Sequence, residues 1–427
     1  MGGGMSTQPK PEDDGGYCVE VDPNAKVWQA APRAAEEAPA AGRPGLPRGA
    51  SAALSGANRW KAAKMTISAS SGFGAAGKDL AKRKREVSGR NGWIARDVAL
   101  GPATHRGIDK FDLVRVVGRG VMGEVSLAKH KKDGAYVALK CVSKGYVAKH
   151  DDERHVHNER TILHKLKHPF VVSLFGTFQD AKRIYFVLEF VAGGELFSKV
   201  RGNKCLTEAS ARFYLCEILA ALAHVHAAGY VYRDLKPENV LLDCEGHCRL
   251  VDFGFACAPP GGDADAGLLR TNCGTPAYLS PEQLARKKTG GYTRIVDWWA
   301  FGCVTFELMT GRTPFCKDHA EDSHHAIYLR VIKGKISFPG FVSNTARAAV
   351  KQLLCAEVSR RLVGAAKIKQ HAFFDGVDWP AVEQKRIRPP STPLSLPPGD
   401  ASCFDEFRPR DVADDCVDAS RCNFSGF

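Results

Sequence analysis

Eight residues, YRDLKPEN from Tyr232 to Asn239, set an arginine, a carboxylate, a lysine and an amide between an apolar run and the strand-like VLLD. A solvated turn tolerates such residues in any order. A fixed order has meaning where the groups must be held against a reacting ligand. A second stretch, GRGVMG from Gly118 to Gly123, has G-x-G-x-x-G spacing. A dinucleotide-binding turn shares that spacing but requires a helix directly after the last glycine. Here EVSLAKH and a hairpin follow, which predicts a flap over phosphates between antiparallel strands. Lys140, in VALK one strand further on, is placed to reach those phosphates. A strand lysine by itself is ordinarily solvated, so the weight of Lys140 comes from its company.

The elements that must position these residues are legible in the periodicity. FDLVRVVG, EVSLAKH and YVALKCV alternate as strands, with Asp133-Gly134 as a hairpin turn between the last two. DDERHVHNERTILHKL has Val156, Ile162, Leu163 and Leu166 at helical spacing, and the strands VVSLFGTF and RIYFVLEF follow. The small antiparallel lobe is expected to end near Glu189. Beyond it, Thr207 is the expected N-cap of EASARFYLCEILAALAHVHAAG, which closes at Gly229. IVDWWAFGCVTFELMTG is apolar nearly all round and reads as a buried central helix.

VALK, YRDLKPEN, DFG and SPE occur in one order, and with them the chain resembles a eukaryotic protein kinase over about residues 111–427. YRD, DFGFA, CGTPAYLSPE and DWWAFG narrow the resemblance to the AGC group, on the side of the cyclic-AMP-dependent kinases. The fold this implies is α+β and bilobal: a small β-rich lobe with one key helix (111–189), a mainly helical lobe (190–375), and an AGC tail (376–427). Residues 1–105, rich in Gly, Ala, Pro and Ser, are expected to be a disordered arm.

The resemblance implies an enzyme that transfers the γ-phosphate of ATP, with magnesium, to protein Ser or Thr. Phosphoryl transfer needs positioning and charge neutralisation more than covalent help. Asp234 then orients or accepts the substrate hydroxyl proton, Lys236 meets charge on the phosphoryl group, and Asn239 and Asp252 hold the magnesium ions. Lys140 grips the phosphates and is held by Glu159. The rest of the ATP site is implied at Gly118, Arg119, Gly120, Val121, Met122, Gly123, Val125, Ala138, Leu188, Glu189, Val191 and Phe404. A non-catalytic scaffold of the same fold is the alternative; such chains usually lose the equivalents of Lys140, Asp234 or Asp252, and all three are present here.

Thr271 matches the family's activation-segment phosphosite, with Arg233 and His155 as two of its holders. A third basic position is Cys257, so activation by phosphate is expected to be less complete than in the relatives. The neighbouring Cys273 is expected to be a packed thiol rather than a reactive one. Arg270 replaces a family Trp that packs on a regulatory subunit, which puts regulation by such a subunit in doubt. Glu195, Glu238 and Glu307 match carboxylates that pair with substrate arginines, which implies R-R-x-S sites, and Phe255 implies Ser over Thr. Ala277 and Asn272 depart from the family and relax the demands further upstream and after the acceptor. In the tail, Phe424 and Phe427 are expected to dock on the small lobe, Phe404 to approach the adenine, and Asp415 to stand where the relative carries a phosphoserine.

Composition sets bounds. The net charge of +13 and 14 Cys belong to a 427-residue chain with 44% hydrophobic residues. Lys and Arg are spread rather than striped and no nucleic-acid motif occurs, so nucleic acid is not an expected partner. The cysteines lack C-x-x-C pairing, which argues for reduced thiols and a cytoplasmic or nuclear setting. MGGGMS fits the N-myristoylation pattern at Gly2. One acyl chain gives marginal membrane attachment, which the KRKR cluster at Lys82 to Arg85 would support, or else serve as a nuclear address.

Overall fold

The computed structural model describes residues 107–427 apart from 121, 263–266, 317–321, 391–393, 395 and 408–421. Gly2, the Lys82 to Arg85 cluster, Val121 and Asp415, each singled out above, lie outside the described residues.

The small lobe is a five-stranded antiparallel sheet of order β1-β2-β3-β5-β4. Its strands are β1 (Phe111–Arg119), β2 (Gly123–His130), β3 (Tyr136–Ser143), β4 (Leu174–Gln179) and β5 (Arg183–Glu189). The β2–β3 turn forms as expected: Gly134 takes φ +70° and Asp133 Oδ1 accepts from the Ala135 amide at 3.0 Å. Helix α2 (Glu153–Lys165) follows the apolar spacing, burying Val156, Ile162 and Leu163, and Glu159 falls on the same face.

A short helix, α1 (Lys144–His150), precedes α2 and was not anticipated from the sequence. Gly145 inside it lowers its propensity, and tertiary packing overrides that: Val147 is fully buried and the Ser143 hydroxyl caps the first turn by accepting from the Tyr146 amide at 3.2 Å.

The large lobe begins with α3 (Leu196–Asn203) and α4 (Glu208–Ala227). Thr207 caps α4 by accepting from the Ser210 amide at 3.2 Å, and the chain leaves it through Gly229 at φ +82°. The ribbon β6 (Val240–Leu242) and β7 (Cys248–Leu250) carries the catalytic loop in front of it. After the short helices α5 (Pro281–Leu284) and α6 (Arg286–Thr289) comes α7 (Ile295–Thr310), buried from Val296 to Met309. Helix α8 (His324–Lys333) packs against α5, and α9 (Asn344–Leu353) against α7. Each large apolar side chain buried along α7 contributes about 1.5–3 kcal/mol, which makes this helix the fixed post of the lobe.

The tail returns to the small lobe. Ala401 joins Val117 and Leu127 in one cluster, with Phe404 and Phe190 packed against it. Phe424 and Phe427 are each 7% exposed and belong to the main core with Phe186 and Ile162. Gln179 Nε2 donates to the Phe424 carbonyl at 2.9 Å, and on α2 His157 Nε2 donates to the Asn423 carbonyl at 2.7 Å while Arg160 lies over the Phe427 ring at 5.1 Å. The expected docking of the two phenylalanines on the small lobe is therefore seen in the structure, with Phe427 against α2. Among the described residues the cysteines are free thiols, and no helix is long and apolar enough to cross a membrane.

Candidate active site

Strand β3 and helix α2 bring two opposite charges together beneath the glycine-rich turn. Lys140 Nζ donates to Glu159 Oε1 at 2.6 Å and to Asp252 Oδ1 at 3.1 Å. Burial works to lower the Lys140 pKa, but Asp252 and Glu159 outweigh it and hold it above the ordinary lysine range. Lys140 in turn holds the Asp252 carboxyl below the usual range. The Asp252 side chain is 51% exposed and opens into the cleft, so an ionised carboxylate faces the space a ligand would enter. Gly123 must be glycine, since a Cβ there would lie 1.8 Å from the Cys141 carbonyl oxygen on the paired strand. Val117, Val125 and Phe404 share one apolar cluster over this cleft.

Across the cleft the catalytic loop is held from behind by α7. Asp297, buried in its first turn, accepts from the Tyr232 amide at 2.9 Å, the Arg233 amide at 2.8 Å and His226 Nε2 at 2.7 Å. These bonds hold Arg233 at φ +71°, a conformation that costs on the order of 1–3 kcal/mol for a non-glycine residue and persists only where its surroundings over-determine it. Asp252 has a similar backbone, at φ +53°.

The loop then presents Asp234 with both oxygens engaged. Lys236 Nζ donates to Oδ2 at 2.8 Å and Asn239 Nδ2 to the same oxygen at 2.9 Å, while Thr275 Oγ1 donates to Oδ1 at 2.9 Å. Burial pushes the Asp234 carboxyl up, and Lys236 and Thr275 resist it. Asn239 spends its N–H groups on Asp234, which leaves its carbonyl oxygen to serve as a ligand atom. An ionised Asp252 and that amide oxygen form a hard, all-oxygen donor pair of the kind magnesium takes, so these residues fit the expected metal.

The three carboxylates expected to read substrate also converge, and burial with their mutual repulsion outweighs the nearby Lys236 and Arg201. Burial pushes Glu195 up to about 7, helped by Glu238 and by Asp405 of the tail. Glu307, on α7, is 2% exposed and accepts from the Tyr278 hydroxyl at 2.7 Å. Burial lifts it to about 8 against that hydrogen bond, and Glu238 adds to the rise. Glu238 is likewise raised by burial, opposed by its backbone hydrogen bond and then by Lys236. Its Oε2 is buried without a hydrogen-bond partner. An orphaned carboxylate oxygen is costly, and a guanidinium would satisfy it.

The activation segment lies on the far side of Arg233. Arg233 Nε donates to the Phe255 carbonyl at 2.7 Å and Nη1 to the Tyr292 hydroxyl at 3.2 Å. Thr271 is exposed. His155 turns its Nδ1 to Asp152 at 3.1 Å and its ring edge to Phe255 at 5.9 Å. Cys257, in the place of the third cation, is buried and pairs its backbone with Val231. Burial pushes the Cys273 thiol up, as expected of a packed cysteine.

Thr275, Tyr278, Tyr292 and Asp297 were missed in reading the sequence. The signal for Asp297 was present: a carboxylate in the first turn of an otherwise apolar helix must have partners. Nothing local marks the two tyrosines.

Residues 111–374 match the protein kinase domain family. The chain is 38% identical over 312 residues to the cAMP-dependent protein kinase catalytic subunit of Dictyostelium discoideum, a match covering 72% of this chain and 46% of that protein. It is 39% identical over 308 residues to the human cAMP-dependent protein kinase catalytic subunit PRKX, covering 71% and 82%. It is 40% identical over 305 residues to the RAC family serine/threonine-protein kinase homolog of Dictyostelium discoideum, covering 70% and 65%. The ion-paired lysine, the held aspartate and these matches lead to one assignment: the chain belongs to the protein kinase family, among its AGC-type serine/threonine kinases.

Proposed function

We propose that this chain transfers the γ-phosphoryl group of ATP to serine, in preference to threonine, in protein segments of the form R-R-x-S, with magnesium as the metal. One observation carries the reading: Asp234, fixed through both oxygens by Lys236, Thr275 and Asn239, shares a cleft with the Lys140–Glu159–Asp252 ion cluster. In the transfer, the serine oxygen forms a bond to the γ-phosphorus as the bond to the bridging oxygen of ADP breaks, and Asp234 takes the hydroxyl proton. Burial raises the proton affinity of Asp234, which suits a base that must accept a proton only as the transfer proceeds. Lys236 meets charge on the phosphoryl group and Lys140 meets the remaining phosphates. Magnesium, held by Asn239 and Asp252, would neutralise the phosphate oxygens.

Glu195, Glu238 and Glu307 are the arginine readers, and the orphaned Glu238 oxygen supports that role. Thr271 is the activating phosphosite, with a partial effect, because Arg233 already has protein partners and Cys257 supplies no charge. Arg270 donates to the Gly290 carbonyl at 3.1 Å, which supports regulation without an aromatic anchor at that position. Acylation at Gly2 with peripheral membrane attachment, and otherwise a cytoplasmic or nuclear setting, complete the proposal; an intact mass lacking the acyl group in protein from a eukaryotic host removes that part.

The test is an oriented peptide library phosphorylated with magnesium and ATP, with Asp234→Asn as control. Selection of Arg two and three residues before Ser is expected, with a loss of about 10²–10⁴ in rate for the variant. Selection of acidic or proline-directed sites, or undiminished transfer by Asp234→Asn, would overturn the assignment.

A further inference from the structure

Residues 271–275 of the activation segment are held to the catalytic loop at both ends. At the downstream end Thr275 bonds directly to Asp234, Oγ1 to Oδ1 at 2.9 Å. Upstream, the connection runs through a side chain that the mechanism above does not use. Tyr292 is 2% exposed, and its hydroxyl donates to the Thr271 carbonyl at 2.7 Å while accepting from Arg233 Nη1 at 3.2 Å. A phenol has one proton to give, and here it goes to the carbonyl of the phosphosite residue itself. Burial raises the phenol's pKa above its already high ordinary value, so that proton stays in place.

The same residue also pairs its backbone with the segment. The Leu269 amide donates to the Tyr292 carbonyl at 2.8 Å and the Tyr292 amide to the Leu269 carbonyl at 2.9 Å. Between the two ties, Gly274 takes φ +103° and packs so close to the loop that a Cβ would lie 2.8 Å from the Arg233 carbonyl oxygen. Residues 271–275 are thus bracketed against the loop with an unmodified Thr271.

We infer that Tyr292 is a positioning residue, relaying the fixed geometry of Arg233 to the Thr271 carbonyl and so holding the substrate-facing segment in place before Thr271 carries a phosphate. The inference rests on the kinase reading above. It gives the weakened cation clamp a physical complement: where Cys257 supplies no charge, a hydrogen-bond chain from the Arg233 guanidinium through the Tyr292 hydroxyl orders the same segment.

Tyr292→Phe separates the relay from packing, because the phenyl ring keeps the cluster of Val231, Leu269 and Val296 filled. Full-length wild type and variant, both with unmodified Thr271 by intact mass, are compared by amide hydrogen exchange and by peptide kinetics. Exchange at residues 269–275 is expected to quicken about three- to tenfold, with α7 and the thermal midpoint unchanged. The peptide kcat/KM is expected to fall by a similar factor while KM for ATP holds. Unchanged exchange at 269–275, a gain spread through α7 with a lowered midpoint, or unaltered peptide kinetics in an active enzyme would each overturn the inference. A wild type that phosphorylates no peptide would remove the kinase reading instead, and the exchange measurement would still decide whether Tyr292 holds the segment.

Discussion

The two acidic clusters of the cleft are built on opposite terms. On the nucleotide side, Glu159 and Asp252 share Lys140, and the Asp252 carboxyl is held below its usual range. On the peptide side, Glu195 and Glu307 are lifted to about 7 and about 8, and Glu238 leaves one oxygen without a partner. Similar residues thus do different work. The first cluster has its shared cation before any ligand arrives, while in the second Lys236 and Arg201 only partly offset burial, and a Glu238 oxygen is left to be satisfied by what binds. Nucleotide geometry is set by the fold, and substrate choice by an electrostatic deficit.

Of the two clusters, the larger effect should come from breaking the completed one. Lys140→Met leaves Glu159 and Asp252 without their shared cation, and kcat should fall about 10²–10³-fold, comparable to removing one oriented electrostatic partner elsewhere. Initial rates at saturating ATP measure it. A loss under tenfold would mean that the cluster is structural rather than catalytic.

Removing part of the deficit should cost less and act selectively. Glu238→Ala should lower kcat/KM for an R-R-x-S peptide about ten- to a hundredfold, the worth of one charge-assisted pair. A peptide with those arginines replaced should be little affected. Equal losses on both peptides would show that Glu238 supports the loop instead of reading substrate.

These contrasts also mark what the sequence could convey. The order of VALK, YRDLKPEN and DFG announced the nucleotide side because each motif carries its function in adjacent residues. Thr207 and Gly229 announced the ends of α4 for the same local reason. The carboxylate deficit was not legible, since it depends on the burial of Glu195, Glu238 and Glu307 and on their approach to one another across the fold. Helix α1 was missed because Gly145 argues against it and only the burial of Val147 argues for it. The Asp297 brace and the Tyr292 relay are likewise products of tertiary proximity, spanning 65 residues to Tyr232 and 59 to Arg233.

The smallest expected effect is on stability, and it has a definite sign. The folded state keeps the Glu307 proton up to about pH 8, whereas the unfolded chain releases it near the ordinary value of 4.5. The native protein therefore loses stability as pH rises between those values. Glu307→Gln keeps an acceptor for Tyr278 and has no proton to lose. Its thermal midpoint should match wild type near pH 4.5, rise above it by a few degrees by pH 8, and hold that difference at higher pH. Parallel midpoints across the range would mean that Glu307 titrates normally.

The docking of the tail has a consequence for how the molecule is made. Gln179 bonds to the backbone of Phe424, a residue translated 245 positions later, and Phe424 and Phe427 fill part of the core that α2 closes. Folding that proceeds from the N-terminus as the chain emerges would form the five strands early and leave this pocket unfilled while the large lobe is assembled. The lobe that emerges first from the ribosome is thus the last to be finished.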